Sequence, residues 1–138
     1  MIIGPANKNL ASLQQLAKEL PCRITILHAP DNIPELMEWA DIAILAGGST
    51  VWEALHMGVP CILLSYADNQ LRVAPKLGDL GYVLYSGHFN GSIPLKFVND
   101  LKALLTDSSL RVALSERGRK LIDGKGVERI IQAMLTQL

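Results

Sequence analysis

Aromatic side chains are scarce, at 5% of the 138 residues, and neither sign of charge is in excess, with 13 Lys and Arg against 13 Asp and Glu. A nucleic-acid surface needs basic groups to displace phosphate counterions, and single-stranded binding needs rings on which bases stack. Nucleic acid is therefore not an expected partner. No apolar run approaches the roughly 20 residues needed to cross a bilayer, so no integral membrane segment is expected. Met1-Ile2-Ile3-Gly4 lacks the basic stretch and apolar core of a secretory leader. Only two cysteines occur, Cys22 and Cys61, each beside an apolar β-like run. Both read as reduced, buried thiols of a cytoplasmic chain. His28, His56 and His88 have no metal-ligand spacing with one another or with the cysteines. No nucleophile–base arrangement and no carboxylate pair for glycoside hydrolysis emerges, so no metal, cofactor or catalytic residue is assigned.

What remains is a hydrophobic chain, 49% apolar with a mean hydropathy of +0.25. A domain of this length buries about two thirds of its unfolded surface, and residues 1–138 read as one domain. Short apolar runs alternate with helical patterns. Strands are expected at Met1–Ile3, Arg23–His28, Ile42–Ala46, Cys61–Leu64 and Tyr82–Tyr85. Continuous runs such as Ile42-Ala43-Ile44-Leu45 suit strands covered on both faces. Leu10, Leu13, Leu16, Ala17 and Leu20 recur at helical spacing, with Asn7 or Asn9 as cap. Further helices are expected at Pro34–Ala40, Thr50–Met57 and Asn69–Leu77, the last disturbed by Pro75. After a loop at Gly87–Ser92, three more follow at about Pro94–Leu105, Ser108–Leu121 and Gly126–Leu138. The pattern predicts an α/β, Rossmann-like, three-layer domain with about five parallel strands and a helical tail.

The segment with most chemistry is Ile44-Leu45-Ala46-Gly47-Gly48-Ser49-Thr50-Val51-Trp52-Glu53-Ala54. A strand ends, two glycines turn the chain, and a helix begins at two hydroxyls. That point lies at the carboxyl edge of a parallel sheet, where ligands bind. Free N–H groups and the helix dipole there favour a phosphate. The segment is neither GxGxxG nor a Walker loop. It also contains Thr50-x-x-Glu53, a capping box that needs no ligand. Tyr66-Ala67-Asp68-Asn69-Gln70 and Ala29-Pro30-Asp31-Asn32-Ile33 follow other strands at the same edge. Each reads either as a polar ligand contact or as an Asx-capped turn.

Together, Ala40–Ile44, Gly47–Ala54, Gly58-Val59-Pro60 and Asp68-Asn69-Gln70 resemble the C-terminal domain of GT-B glycosyltransferases, with the enzyme that makes lipid II as one relative. Ile3–Asn7, Asn32-Ile33 and Ile122–Arg129 look closer to the UDP-sugar hydrolases of pseudaminic acid biosynthesis and the spore coat polysaccharide proteins. The resemblance implies that Gly48, Ser49 and Thr50 hold a diphosphate, with Gly47 in the same nucleotide-sugar site, and that Glu53 binds ribose hydroxyls. It implies that the loop carrying Asn32 and Ile33 reads uracil, and that Asn69 and Gln70 lie near the sugar of a UDP-sugar. Pro30, with no N–H, departs from that pattern. The resemblance further implies a C-terminal half whose first strand and Gly-rich loop are missing, and whose catalytic histidine belongs to an N-terminal domain or partner chain. The half would be inactive alone. Hydrolysis of the sugar–phosphate bond is the expected reaction of the whole, with glycosyl transfer and a non-catalytic nucleotide-binding subunit as alternatives. A flavodoxin-like regulator is disfavoured, because no cluster of acidic residues sits at the first strand ends. A sheet begun at Met1 should leave apolar surface exposed and favour a homodimer.

Overall fold

A computed structural model describes residues 1–136. The chain forms two compact units, Met1–Ile33 and Pro34–Leu138. In the first, β1 (Ile2–Ile3) leads through α1 (Leu10–Glu19) to β2 (Leu27–His28), which pairs with it in parallel. The expected strand at Arg23–His28 contracts to two residues, because a ladder is no longer than its shorter partner. Asn7 turns the chain into α1, its Oδ1 accepting the Asn9 N–H at 2.8 Å. Asn9 stands at the cap position and makes no side-chain bond. Cys22 falls between α1 and the shortened β2 and is exposed, which corrects the expectation of burial.

The second unit contains α2 (Ile33–Trp39, all but its first residue), β3 (Ala43–Leu45), α3 (Thr50–Met57), β4 (Cys61–Ser65), a 3₁₀ turn at Asp68–Gln70, α4 (Ala74–Asp79) and β5 (Leu84–His88). Helices α5 (Leu95–Thr106), α6 (Ser108–Leu121) and α7 (Gly126–Leu135) follow. The helix expected to Leu138 is thus traced to Leu135, and residues 137–138 lie outside the described residues. Among the described residues, five strands pair in parallel as two ladders, β1-β2 and β3-β4-β5. β4 is central in its ladder, and Cys61, Ile62 and Leu63 are fully buried. Ile62 packs with Leu104 of α5 and Leu114 of α6. β3 is an edge of this ladder, and Ile44 remains half exposed where burial on both faces was expected.

Pro75 does not kink a long helix. The chain instead makes the 3₁₀ turn and restarts, with Pro75 in the first turn of α4, where no N–H is needed. β5 also runs later than expected, through Gly87 and His88. Its register slips between Leu63 and Leu64, which pair with Tyr85 and Gly87 and leave Ser86 as a bulge. Gly87 has φ +114°, a conformation that favours glycine, so a residue that reads as the start of a loop belongs to the strand.

α3 and α6 touch backbone to backbone. A Cβ on Gly118 would lie 2.9 Å from the Leu55 carbonyl oxygen. Arg119 Nη2 donates to the Met57 carbonyl at 3.1 Å, and Gly58 ends α3 in the left-handed region at φ +75°. His56 Nδ1 donates to the Ile122 carbonyl at 2.9 Å. At the other end of α6, Asp107 Oδ1 accepts the Leu110 N–H at 2.9 Å. Arg129 grips Asp123 with two bonds, at 2.7 and 3.0 Å, and holds its carboxyl well below the usual range. Exposed apolar side chains are spread over the described residues, Met1 and Ile2 among them, and on α7 Val127, Ile130, Ile131, Met134 and Leu135 form one stripe. No helix among the described residues is long and apolar enough to cross a membrane.

Two outcomes follow from this packing. Gly118→Ala gains about 1 kcal/mol of helix propensity, but overpacking costs typically 1–3 kcal/mol. Urea denaturation is expected to show a net loss, and a net gain would contradict the close approach. Burial also pushes the Cys61 thiol from 9.0 up to about 12, because the charged thiolate would lose its hydration. The folded-state value is the raised one, so this contribution to stability is full below pH 9.0 and is lost as pH rises towards 12. A thiol reagent at pH 8 should therefore modify Cys22 in the native chain and Cys61 only after unfolding. Rapid native labelling of both would refute the burial.

Candidate functional site at the carboxyl edge of the sheet

The turn from β3 into α3 does not form the capping box. The cap position is Ser49, not Thr50, and no side chain bonds to the helix start. A capping side chain folds back when its own backbone is extended. Ser49 is already helical, at φ −61° and ψ −33°. Thr50 is one place too far along to cap, and Glu53 is exposed and unbonded among the described residues. The first turn closes by Val51 N–H to Gly48 O at 3.2 Å and Trp52 N–H to Ser49 O at 3.0 Å. The N–H groups of Gly48, Ser49 and Thr50 donate to no atom among the described residues. All three residues are exposed. They form the positive end of a helix whose Val51, Ala54 and Leu55 are buried, so the donors are anchored from behind.

The two glycines do different work. A Cβ on Gly47 would stand 2.9 Å from Ala74 Cβ and 3.2 Å from Gln70 Cβ, so Gly47 lets α4 and the 3₁₀ turn close against this loop. A Cβ on Gly48 would meet nothing within 4 Å, and its φ is not left-handed. Neither packing nor conformation within the chain requires glycine at position 48.

Gln70 is buried, and its Oε1 accepts the Tyr66 N–H at 2.9 Å. That bond shapes the loop after β4 and sets Gln70 against Gly47. No fully buried side-chain nitrogen or oxygen lacks a partner among the described residues. The unbonded Gln70 Nε2 therefore keeps access to solvent. Asn69 is exposed in the 3₁₀ turn. Asn32 and Ile33 belong to the first unit, where Asn32 is exposed and Ile33 half-buried at the first position of α2.

A polar group at the ends of β4 and β5 escaped the sequence reading. Ser65 Oγ is buried and lies 2.9 Å from Tyr85 Oη and 3.3 Å from His88 Nδ1. The bulge at Ser86 is what brings His88 opposite Ser65. Helix α5 holds that bulge. Ser86 Oγ donates to Asp100 Oδ2 at 2.6 Å, and Lys96 Nζ donates to both Asp100 and the Tyr85 carbonyl at 2.7 Å. The available signal was Ser65 closing an apolar strand. Gly87, taken for a loop, hid its partner. Among the described residues no group of three or more His, Cys, Asp or Glu is placed to hold a metal ion.

These features agree with what the chain resembles. Residues 1–116 match the glycosyltransferase family 28 C-terminal domain. Over 129 residues, 94% of this chain, it is 29% identical to the spore coat polysaccharide biosynthesis protein SpsG of Bacillus subtilis. It covers 38% of that protein. Over 64 residues, 46% of the chain, it is 39% identical to the UDP-N-acetylglucosamine–N-acetylmuramyl-(pentapeptide) pyrophosphoryl-undecaprenol N-acetylglucosamine transferase of Carboxydothermus hydrogenoformans, covering 17% of it. The Geobacter metallireducens protein of the same name is 27% identical over 113 residues, 77% of the chain and 30% of that protein. The chain thus spans well under half the length of these relatives. With mixed α/β layers, parallel strands and a match over most of its length, the chain belongs to the glycosyltransferase family 28 C-terminal domain family, the Rossmann-like half of a GT-B fold.

Proposed function

We propose that this domain binds the nucleotide end of a UDP-sugar donor, its cleft completed by a further domain or partner chain. The observation that carries the reading is the set of three free N–H groups at Gly48, Ser49 and Thr50, beside a glycine with open space around it. A diphosphate fits such donors because they are fixed, neutral in themselves and aligned with the helix dipole. When the bond between the sugar and the diphosphate breaks, negative charge builds on the leaving UDP. Donors already in place stabilise that charge without reorganising. Glu53, one turn into α3 and exposed, is assigned to the ribose hydroxyls; in the first unit, the Asn32–Ile33 loop is assigned to the base. Asn69 and the free amide of Gln70 are assigned to the sugar.

Binding of the leaving group serves transfer and hydrolysis alike, since the two differ in what attacks the sugar carbon. Membership of a glycosyltransferase family and two relatives named as transferases favour transfer. Hydrolysis is the second reading. The relative matched over 94% of the chain is named for polysaccharide biosynthesis and not for a transfer. The attacking group's base is assigned to the completing domain. The chain alone is expected to bind UDP weakly and to release none from UDP-sugars.

Calorimetry with UDP tests the assignment of Glu53. Glu53→Gln should weaken binding by roughly 1–3 kcal/mol, the scale of a hydrogen bond to a charged group, with little change in unfolding. Unchanged affinity removes the ribose role. A second comparison separates ligand from cap at Ser49 and Thr50. Because neither side chain caps α3, replacing both with Ala should shift stability by less than about 0.5 kcal/mol, and UDP affinity should fall only by what the two hydroxyls add to the backbone donors, which Ala retains. A stability loss of about 1 kcal/mol with UDP binding intact would restore the capping role.

A further inference from the structure

The ends of β4 and β5 hold a polar device that the nucleotide site does not use. Ser65 is fully buried, yet its hydroxyl is committed outward, to Tyr85 Oη at 2.9 Å and to His88 Nδ1 at 3.3 Å. His88 itself is exposed. With Nδ1 engaged, Nε2 is the ring nitrogen left for another molecule. The two hydroxyls can pass their protons in either direction along the chain. His88 can therefore offer a hydrogen or a lone pair at Nε2, as a partner that is both donor and acceptor requires.

This arrangement is built. Without the bulge, Ser65 would stand opposite Gly87. The bulge needs glycine's φ of +114° at position 87 and is clamped by Ser86, Asp100 and Lys96. Bulges commonly re-aim a side chain beside a functional site. In an edge of parallel strands about 4.8 Å apart, His88 lies two strands, or about 10 Å, from the β3–α3 turn. It shares that edge with Gly48–Thr50. Between the two stand Tyr66, Asp68, Asn69 and Gln70, none of them cationic. Asp68 would repel a phosphate, and the amides and phenol suit a hydroxylated ring.

We propose that His88, set by Ser65 and the Ser86 bulge, is a specificity contact for the sugar of the bound nucleotide-sugar, taking a ring hydroxyl or acylamino group at Nε2. This rests on the nucleotide reading above and extends it to a residue outside the Gly47–Glu53 and Asn69–Gln70 segments. Ser65 is a positioning residue, acting through the imidazole.

The test compares UDP with UDP-N-acetylglucosamine on the full 138-residue chain, by titration and by the imidazole ¹⁵N signals of His88. The sugar nucleotide should move the Nε2 signal and UDP should not. His88→Ala should leave the UDP dissociation constant within twofold and weaken the sugar nucleotide three- to tenfold, with His88→Gln recovering part of the loss. Ser65→Ala should perturb the Nδ1 signal and reduce the sugar-dependent affinity without affecting UDP. An equal loss for both ligands, or no loss for either, overturns the sugar contact while leaving the nucleotide site standing. The same holds if the wild-type His88 signal ignores the sugar. Failure of UDP to bind at all overturns the nucleotide reading, and this inference with it.

Discussion

The site depends on α3 being fastened at its far end. Gly118 admits the Leu55 backbone, Arg119 takes the Met57 carbonyl, and Gly58 turns the chain out of the helix towards β4. Val51, Ala54 and Leu55 are buried along the same helix. A helix of eight residues has little stability of its own, and tertiary packing must supply it. Because α6 and β4 do so, the first turn needs no side-chain cap. Its N–H groups are left open on exposed residues, free for solvent or a ligand.

The remaining strands extend the same logic along one edge. Gly47 lacks a Cβ so that the turn after β4 can close on the turn after β3, and the side-chain Oε1 of Gln70 fixes that second turn by accepting the Tyr66 N–H. The third turn is aimed by a bulge held from α5. Three consecutive strand ends thus present backbone donors, amides and an imidazole in sequence. Each is held by a bond or contact on its inner side. That ordering matches a ligand with a charged centre and a polar, uncharged end.

Much of this was legible in the residues. Apolar runs marked β3 and β4 as strands, although only β4 is buried on both faces, and Ser108–Leu121 was readable as a helix from its periodicity. The Gly47–Thr50 turn stood out by composition. What misled were residues whose meaning depends on a neighbour absent from the local window. Thr50-x-x-Glu53 has the letters of a capping box, but the helix starts one residue early, at a Ser49 already in helical geometry. Gly87 looked like loop because glycine permits loops, whereas here its freedom sustains a bulge set by pairing with Leu64. Cys22 lay beside an apolar run that forms only two residues of strand, so it stayed at the surface. Pro75 read as kinking or ending one helix, whereas it stands in the first turn of another, where its missing N–H costs nothing.

The central claim is that Gly48, Ser49 and Thr50 carry fixed, unpaired N–H groups that a diphosphate completes. Amide hydrogen exchange followed by NMR addresses it directly. In the free chain these three amides should exchange rapidly while those of Ala54 and Leu55 are protected by the packing of α3 on α6. Saturating UDP should slow the three and leave the others as they were. Strong protection of the three amides before ligand is added would mean that the turn satisfies itself. No change on adding UDP would mean that the diphosphate binds elsewhere, and either result would contradict the account.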